Sequence, residues 1–275
     1  MKEIITVKKT ARMAILGIMD DQNSSFKRGS AGAPPFIRAA YHSDSSNYWS
    51  ENGTNLEIGQ CLVDAGDIIP GPGETMITDI ENSVKKILLA GLRPICLGGD
   101  HAVTYPILRA VSTFHKPLSI LHFDAHPDLY EHFNGNRYSH ASPFARIMES
   151  GLVKRLVQIG IRTMSGHQRA QADRFGVEVF EMKNWRDEMK FQFDSDVYIS
   201  FDMDSLDPAF APGVSHWEPG GFSVRQVLNV IQKIDSRVIG ADIVEFNPIS
   251  ESQITSMVAA KVFKEIASKM LERIE

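Results

Sequence analysis

The stretch Leu118-Ser-Ile-Leu-His-Phe-Asp-Ala-His-Pro-Asp128 contains a mostly apolar run of six residues followed at once by three residues of metal-ligand type. A run of this length suits a strand that is buried on both faces of a parallel sheet. In an extended chain alternate side chains point to the same side, so Asp124, His126 and Asp128 can converge on one point. The stretch therefore predicts a buried strand with a metal site at its carboxyl end.

Five further apolar runs alternate with helical patterns along the chain, at residues 14–18, 94–97, 156–159, 197–201 and 238–244. Repeated strand–helix units predict an α/β fold with right-handed crossovers. We expect a three-layer αβα sandwich around a doubly wound, mainly parallel sheet. No repeat, low-complexity tract or charged block divides the sequence, so one domain over residues 1–275 is expected.

The helical patterns carry their own boundary residues. Gly91 is expected to end a helix whose apolar face includes Ile80 and Val84, because a left-handed residue suits that position. Ser223 and Gln226 have the spacing of a capping box, which marks the start of another helix. A closing helix is predicted by apolar residues at every fourth position, namely Val258, Val262, Ile266, Met270 and Ile274.

Two other apolar runs also lead into metal-ligand residues. Residues 94–97 precede Gly98-Gly-Asp-His101, and residues 197–201 precede Asp202-Met-Asp204. Ligands of open α/β sheets bind beyond the carboxyl ends of the strands, so these residues are expected to join the first motif. Each motif alone suits an ordinary turn or helix cap, whereas four carboxylates and two imidazoles at three strand ends indicate a site.

Carboxylates that face one another in a buried crevice repel unless cations neutralise them. Mixed carboxylate and imidazole ligands without thiolate favour Mn²⁺, with Fe, Co, Ni and Zn as alternatives. We therefore predict two Mn²⁺ per subunit. Two such cations can lower the pKa of a water molecule between them, which indicates hydrolysis. The ligand set alone leaves a two-metal phosphoesterase open.

Three motifs carry a family resemblance: Gly98-Gly-Asp-His101, Phe123-Asp-Ala-His-Pro-Asp128 and the run Ser200-Phe-Asp-Met-Asp-Ser-Leu-Asp-Pro-Ala-Phe-Ala-Pro-Gly213. They resemble the signatures of the ureohydrolases, which include arginase and agmatinase. Further segments look most like plant-type arginases and their bacterial relatives, namely Asn23-Ser-Ser-Phe26, Tyr138-Ser-His-Ala-Ser-Pro-Phe-Ala-Arg-Ile-Met-Glu149, Gly213-Val-Ser-His-Trp-Glu-Pro-Gly-Gly221 and Gly240-Ala-Asp-Ile-Val-Glu-Phe-Asn-Pro248.

The resemblance implies a role for each matching residue. One metal would be held by His101, Asp124, Asp128 and Asp202. The second metal would be held by Asp124, His126, Asp202 and Asp204. Of the catalytic residues, His140 would shuttle protons, Asp128 would relay a proton to the leaving amine, and Glu245 would pair with the substrate guanidinium.

The implied reaction is hydrolysis of L-arginine to urea and L-ornithine. The alternative is an agmatinase, which forms putrescine and urea from agmatine, or a hydrolase of another guanidino acid. The resemblance also implies a homo-oligomer, either a trimer or a hexamer. A catalytically silent protein of the same fold is disfavoured because every metal ligand is present.

The residues that bind the amino-acid end of the substrate are the least defined by the sequence. Tyr130 stands where animal arginases have an asparagine for the substrate α-carboxylate. Five residues are candidates by their proximity to the motif loops, namely Asn134, Asn136, Arg137, Ser165 and His216.

The composition limits the possible partners and location. A net charge of −5 without a Lys/Arg run gives no electrostatic reason to expect a nucleic-acid or membrane partner. No apolar stretch approaches the roughly 20 residues that a membrane-spanning helix needs. Cys61 and Cys96 are too few for a disulfide framework, and the apolar run around Cys96 predicts a buried thiol. Residues 1–9 lack the apolar core of a signal peptide, so a cytoplasmic location is expected.

Overall fold

The computed structural model describes residues 10–272, and these residues contain one sheet of eight parallel strands. Across the sheet the strands lie in the order β2-β1-β3-β8-β7-β4-β5-β6. Their bounds are β1 Met13–Ile18, β2 Leu62–Ile68, β3 Arg93–Leu97, β4 Leu118–Phe123, β5 Arg155–Ile161, β6 Glu178–Glu181, β7 Asp196–Asp202 and β8 Val238–Val244.

Helices cover both faces of this sheet. Their bounds are α1 Ala33–Tyr41, α2 Thr75–Leu89, α3 Thr104–Val111, α4 Pro143–Glu149, α5 Gly166–Phe175, α6 Val224–Gln232 and α7 Gln253–Leu271. Helices α1, α6 and α7 pack into one hydrophobic core, and α2 to α5 pack into the other. The predicted three-layer α/β fold is therefore confirmed.

The central strands are buried on both faces because their apolar side chains alternate between the two cores. In β1, Met13 and Ile15 belong to one core, while Ala14, Leu16 and Ile18 belong to the other. This alternation is the period of two that an extended chain imposes. It explains why these strands are recognisable in the sequence as almost unbroken apolar runs.

The two edge strands, β2 and β6, were not predicted from the sequence. In β2 buried and exposed residues mix along Leu62–Ile68, and no residue of β6 is fully buried. An edge strand has a neighbour on one side only and is less completely covered by helices. Its polar residues interrupt the apolar run, which removes the pattern from which the six inner strands were identified.

The predicted helix boundaries agree with the structure where it describes them. Gly91 has a φ of 75° just after α2, and Ser223 with Gln226 caps α6. A second capping box, formed by Ser165 and Gln168, begins α5 and was not predicted. Of the apolar positions predicted for the closing helix, Ile274 lies outside the described residues, as do residues 1–9.

Two further expectations concern the thiols and the membrane. Cys96 is buried, as predicted, and both cysteines are free. Within residues 10–272 no helix is long and apolar enough to cross a bilayer.

The order of the strands decides where chemistry can occur. Strands β3, β8, β7 and β4 are consecutive at the centre of the sheet. Because all of them are parallel, the loops that follow them meet at one edge. The loops that carry the three sequence motifs follow three of these four strands.

We expect Gly91→Ala to lower the free energy of unfolding by about 1 kcal/mol, because alanine is strained at a positive φ. An added Cβ would meet no atom within 4 Å, so the cost would be purely conformational. Urea unfolding of the metal-loaded protein measures it. The matched control is Gly166→Ala, which has equal space and an ordinary φ. A similar loss in both variants would contradict the explanation.

Candidate metal centre

Four adjacent strand ends supply the side chains of the candidate site. His101 opens a short 3-10 turn after β3, Asp124 follows β4, Asp202 ends β7 and Glu245 follows β8. The loop after β3 passes close to the chain that follows β1, where a Cβ on Gly99 would lie 2.7 Å from a backbone oxygen. Glycine there lets the loop turn back sharply, which directs His101 over the sheet edge.

The first group of ligand atoms surrounds the His101 ring. Its Nδ1 atom lies 3.1 Å from a carboxylate oxygen of Asp124, of Asp128 and of Asp202. Although this nitrogen is buried, it forms no hydrogen bond with adequate geometry. One ring nitrogen cannot donate a proton to three acceptors at once. One imidazole nitrogen and three carboxylate oxygens around the same point fit the ligands of a cation.

The second group shares Asp124 with the first. The Nδ1 atom of His126 lies 3.1 Å from Asp204 Oδ2 and 3.4 Å from Asp124 Oδ1. The two oxygens of Asp124 therefore face two different imidazoles, which suits a carboxylate between two cations. Asp202 Oδ1 accepts the backbone N–H of Asp204 at 2.7 Å, just as Asp124 Oδ1 accepts that of His126 at 2.6 Å. Only Asp202 Oδ2 lies beside an imidazole nitrogen among the described ion pairs, so the predicted bridging role of Asp202 stays a prediction.

The charges of this cluster also fit a cation. Burial and the carboxylates of Asp204 and Asp124 raise the pKa of Asp202 well above its usual range. Burial lowers the pKa of His101, but the surrounding carboxylates outweigh burial and raise it well above 6.5. These two shifts favour protons on Asp202 and His101 in the protein alone, whereas the neighbouring imidazoles outweigh burial and lower the pKa of Asp124. Divalent cations would replace those protons and use the same oxygen and nitrogen atoms.

His122 lies within reach of the first group but has no free nitrogen. Its Nε2 lies 2.9 Å from Asp124 Oδ2, and its Nδ1 lies 3.0 Å from the Nε2 amide of Gln158. Since the amide nitrogen can only donate, His122 accepts at Nδ1 and donates to Asp124 from Nε2. We therefore interpret His122 as a residue that orients Asp124, a role that the sequence did not suggest.

A second buried network of hydrogen bonds positions the His101 ring through its other nitrogen. Its Nε2 lies 3.0 Å from Ser200 Oγ, which donates to Asp242 Oδ1 at 2.8 Å. Asp242 also accepts hydrogen bonds from Tyr198 and Thr104. With Nε2 donating to Ser200, the Nδ1 atom keeps a lone pair for a cation.

His140 and Glu245 form a buried pair beside the metal-ligand groups. Glu245 Oε1 lies 2.8 Å from His140 Nδ1 and accepts the backbone N–H of His101 at 2.9 Å. On its other side His140 Nε2 lies 2.8 Å from Ser25 Oγ. Burial lowers the pKa of His140, but Glu245 outweighs burial and raises it to about 9. Sequence reasoning assigned no role to Ser25, although it noted the surrounding segment.

A cavity of about 370 Å³ opens above these groups. Part of its lining is largely apolar, namely the side chains of Tyr130, Phe133 and Met164, and suits the aliphatic chain of a ligand. Among the residues that line it are several that the sequence analysis assigned to the site, namely His126, Asp128, His140, Ser165, Asp202, Asp204, His216 and Glu245. The lining residues that sequence reasoning did not assign are Ser25, Tyr130, Phe133, Ala141, Thr163, Met164 and Gln168.

Three of the five residues predicted to bind the amino-acid end of the substrate are not among the residues that line this cavity. Asn134 is exposed on a turn with a φ of 51°. Asn136 donates to Asn23 Oδ1 at 2.9 Å, and Arg137 pairs with Glu149 at 2.6 Å. Of the five residues proposed from loop proximity, the structure brings only Ser165 and His216 to the cavity.

Comparison with known proteins gives a consistent result. A protein-family model described as the arginase family matches residues 11–268 of this chain. The chain is similar to "Arginase 1, mitochondrial" of Arabidopsis thaliana, with 46% identity over 94% of this chain and 81% of the relative. It is also 45% identical to "Arginase 2, chloroplastic/mitochondrial" of the same plant, over 94% of this chain and 81% of the relative. The solved arginase from Medicago truncatula matches with a TM-score of 0.90 and 43% identity, covering 95% of this chain and 88% of that chain.

The expected cytoplasmic location is contradicted by these names. Both relatives from Arabidopsis thaliana are named for mitochondria or chloroplasts. The expectation rested on cysteine content and on residues 1–9, which lie outside the described residues. A small number of free cysteines fits any reducing aqueous compartment, so it does not separate the cytoplasm from an organelle.

We expect Asp124→Asn to weaken binding of both metal ions by more than about 100-fold, because even outer residues of metal sites contribute 10- to 100-fold. Elemental analysis after dialysis measures the bound metal. Asp194→Asn removes an exposed carboxylate that pairs with Lys154 and is the matched control. Retention of two ions by Asp124→Asn would show that Asp124 is not shared between them.

In the metal-free protein His140 should titrate at about 9, above its ordinary pKa of 6.5. The pair with Glu245 therefore stabilises the fold fully below about pH 6.5, and this contribution is lost as the pH rises through 9. Glu245→Gln should lower the pKa of His140, because burial would then act with less opposition. Side-chain NMR measures both values, with Asp194→Asn as control. An unchanged pKa in Glu245→Gln would contradict the pairing.

Proposed function

The chain belongs to the arginase family, and from this premise we propose that it hydrolyses L-arginine to urea and L-ornithine. The observation that carries the proposal is the position of two imidazoles around Asp124. His101 Nδ1 lies beside one carboxylate oxygen of Asp124, and His126 Nδ1 lies beside the other. The arrangement fits a pair of cations beside a cavity with apolar walls. A guanidino compound with an aliphatic stem matches both features.

We propose two Mn²⁺ per subunit at this site. The ligands would be His101, Asp124, Asp128 and Asp202 for one ion and Asp124, His126, Asp202 and Asp204 for the other. Oxygen and imidazole ligands without thiolate suit Mn²⁺ better than softer metals. When bound, the two ions would lower the pKa of a water molecule and so supply the hydrolytic nucleophile.

Glu245 would hold the substrate guanidinium. Its Oε1 atom is occupied by His140 and by the backbone of His101. Its Oε2 atom forms no hydrogen bond within residues 10–272, and Glu245 lines the cavity. A carboxylate oxygen in this position can accept an N–H of a planar guanidinium and orient its carbon towards the metal ligands.

Two residues would move protons during the reaction. Asp128 lines the cavity with one oxygen 3.1 Å from His101 Nδ1, so its carboxylate would lie beside the reacting group and could carry a proton to the leaving amine. His140 links Glu245 to Ser25 and also lines the cavity, so it would exchange protons with solvent. An imidazole in this position can donate and accept in turn.

We also propose that the chain forms a single catalytic domain and assembles as a trimer or hexamer. The single sheet of residues 10–272 supports the first part. The family resemblance supports the second part, which sedimentation of the metal-loaded protein tests directly.

With Mn²⁺ bound, kcat/KM for L-arginine should exceed that for agmatine by at least about 10-fold, the equivalent of one charge-assisted contact to the α-carboxylate. Steady-state urea release from both substrates in one preparation measures the ratio. The same preparation after exhaustive chelation is the control and should be inactive until Mn²⁺ is returned. Equal or reversed specificity would instead support an agmatinase, and full turnover without metal would exclude the two-metal mechanism.

A further inference from the structure

Arg162 follows β5 directly, beside the loops that carry the metal-ligand residues after β4 and β7. Its guanidinium forms five hydrogen bonds, one from Nε and two from each terminal nitrogen, which uses all of its N–H donors. The acceptors are all backbone carbonyls, namely those of Glu218 at 2.8 Å, Gly160 at 3.1 Å, Ser205 at 3.2 Å, Asp204 at 2.6 Å and Leu206 at 3.3 Å. A planar group with every donor bonded to the main chain fixes the course of the chain around it.

The backbone of Arg162 contacts the other loop that carries ligands. The N–H groups of Arg162 and of the next residue both donate to Ala125 O, at 2.9 and 3.2 Å. Ala125 stands between Asp124 and His126 in the first metal motif. Its own N–H donates to Asp204 Oδ1 at 3.2 Å. Arg162 therefore connects the two loops that supply the second group of ligand atoms.

Three of the five carbonyls belong to residues 204–206, at the short turn that directs the Asp204 side chain. Asp204 Oδ2 lies 3.1 Å from His126 Nδ1, so the position of this turn decides whether the two ligand atoms meet. His101, in the first group, is positioned instead through Ser200 of β7. The two ligand groups thus depend on separate supports.

The same guanidinium also fixes the loop that contains Glu218. The carbonyl of Glu218 accepts from Arg162 Nε, while its carboxylate lies 3.9 Å from His126 Nε2. A metal-bound imidazole is commonly oriented by a carboxylate near its other nitrogen. Arg162 therefore supports both His126 and Asp204, the two residues whose predicted ligand role is confined to the second ion.

Glycine at position 221 leaves space for this arrangement. A Cβ on Gly221 would lie 2.7 Å from Arg162 Nη2 and 2.8 Å from its Cζ. Contacts this short are excluded, so a side chain at this position would displace the guanidinium from its carbonyl acceptors.

We propose that Arg162 is a positioning residue for the second metal ion, because its guanidinium fixes the backbone of Asp204 and holds Glu218 beside His126. The proposal rests on the proposed function, since this ion is the one proposed at Asp124, His126, Asp202 and Asp204. It makes affinity for that ion depend on a side chain that is neither a proposed ligand nor among the residues that line the cavity.

The test is Arg162→Lys, which keeps the positive charge but offers three donors on one nitrogen and cannot bond five carbonyls. Metal-free protein is titrated with Mn²⁺, and free Mn²⁺ is followed by electron paramagnetic resonance. The wild-type protein should bind two ions. In the variant the first ion should bind with nearly unchanged affinity, and the second at least about 10-fold more weakly, as expected for an outer residue of a metal site. Saturating Mn²⁺ should restore kcat for urea release, because every ligand is still present.

The matched control is Arg146→Lys. Arg146 is also buried, and its guanidinium donates to the carbonyls of Glu131 and Arg137, away from Asp204. This change should leave the affinity for the second ion unchanged. Thermal unfolding is measured for both variants, so that a general loss of stability can be separated from a loss of metal affinity.

If Arg162→Lys does not fold, Arg162→Gln keeps an amide with two N–H donors and should weaken the second ion in the same way. Equal weakening of both ions, or two unchanged affinities, in a folded variant would overturn the proposal. Fewer than two bound ions in the wild-type protein would instead overturn the proposed metal centre, and this role of Arg162 with it.

Discussion

The sheet brings several buried carboxylates together at its carboxyl edge. The structure depends on how the repulsion between these carboxylates is offset. Asp124, Asp202 and Asp204 are almost fully buried there, and Asp128 joins them from a loop with a φ of 49°. A non-glycine residue at such a φ is sterically unfavourable, so the surrounding contacts must hold it. Backbone N–H groups supply part of that support, as His126 does for Asp124 and Asp204 does for Asp202. Cation binding would offset the remaining repulsion, which couples metal affinity to the stability of the whole edge.

The register of the strands turns this edge into an ordered ligand set. His122 of β4 pairs in register with Gln158 of β5 and with Ser200 of β7, and Ser200 pairs with Asp242 of β8. Residues in register point to the same face, so these polar side chains form one row beneath the ligands. From this row His122 orients Asp124, and Ser200 orients His101. A slip of one residue in any of these strands would separate a ligand from its support.

Sequence reasoning predicted the parts of the molecule in which a local pattern has one physical cause. Buried central strands need unbroken apolar runs, and ligands need fixed spacing after them, so His101, Asp124 and Asp202 could be placed together from the sequence. The edge strands β2 and β6 lack that pattern because they are partly exposed. Ser25 and His122 lacked any pattern as well, because their roles depend on partners 115 and 36 residues away. Ser165 and Gln168 have the same spacing as Ser223 and Gln226, so the sequence carried a signal for that helix cap but none for its place at the cavity. Asn136 shows the converse, since proximity in sequence to a motif did not bring it to the cavity lining.

The metal-ligand cluster and part of the cavity lining therefore lie on different parts of the fold. The strand ends that carry the ligands are fixed by charge, register and backbone support, so few substitutions there can preserve the cluster. The start of α5 is under a weaker constraint, because a capping box forms equally well with glutamine or glutamate at its third helical position. Gln168 lines the cavity, and the helix would keep its cap with either residue there. The lining of the cavity can thus change at this position without disturbing the metal-ligand cluster, since the helix cap and the ligand cluster share no residue.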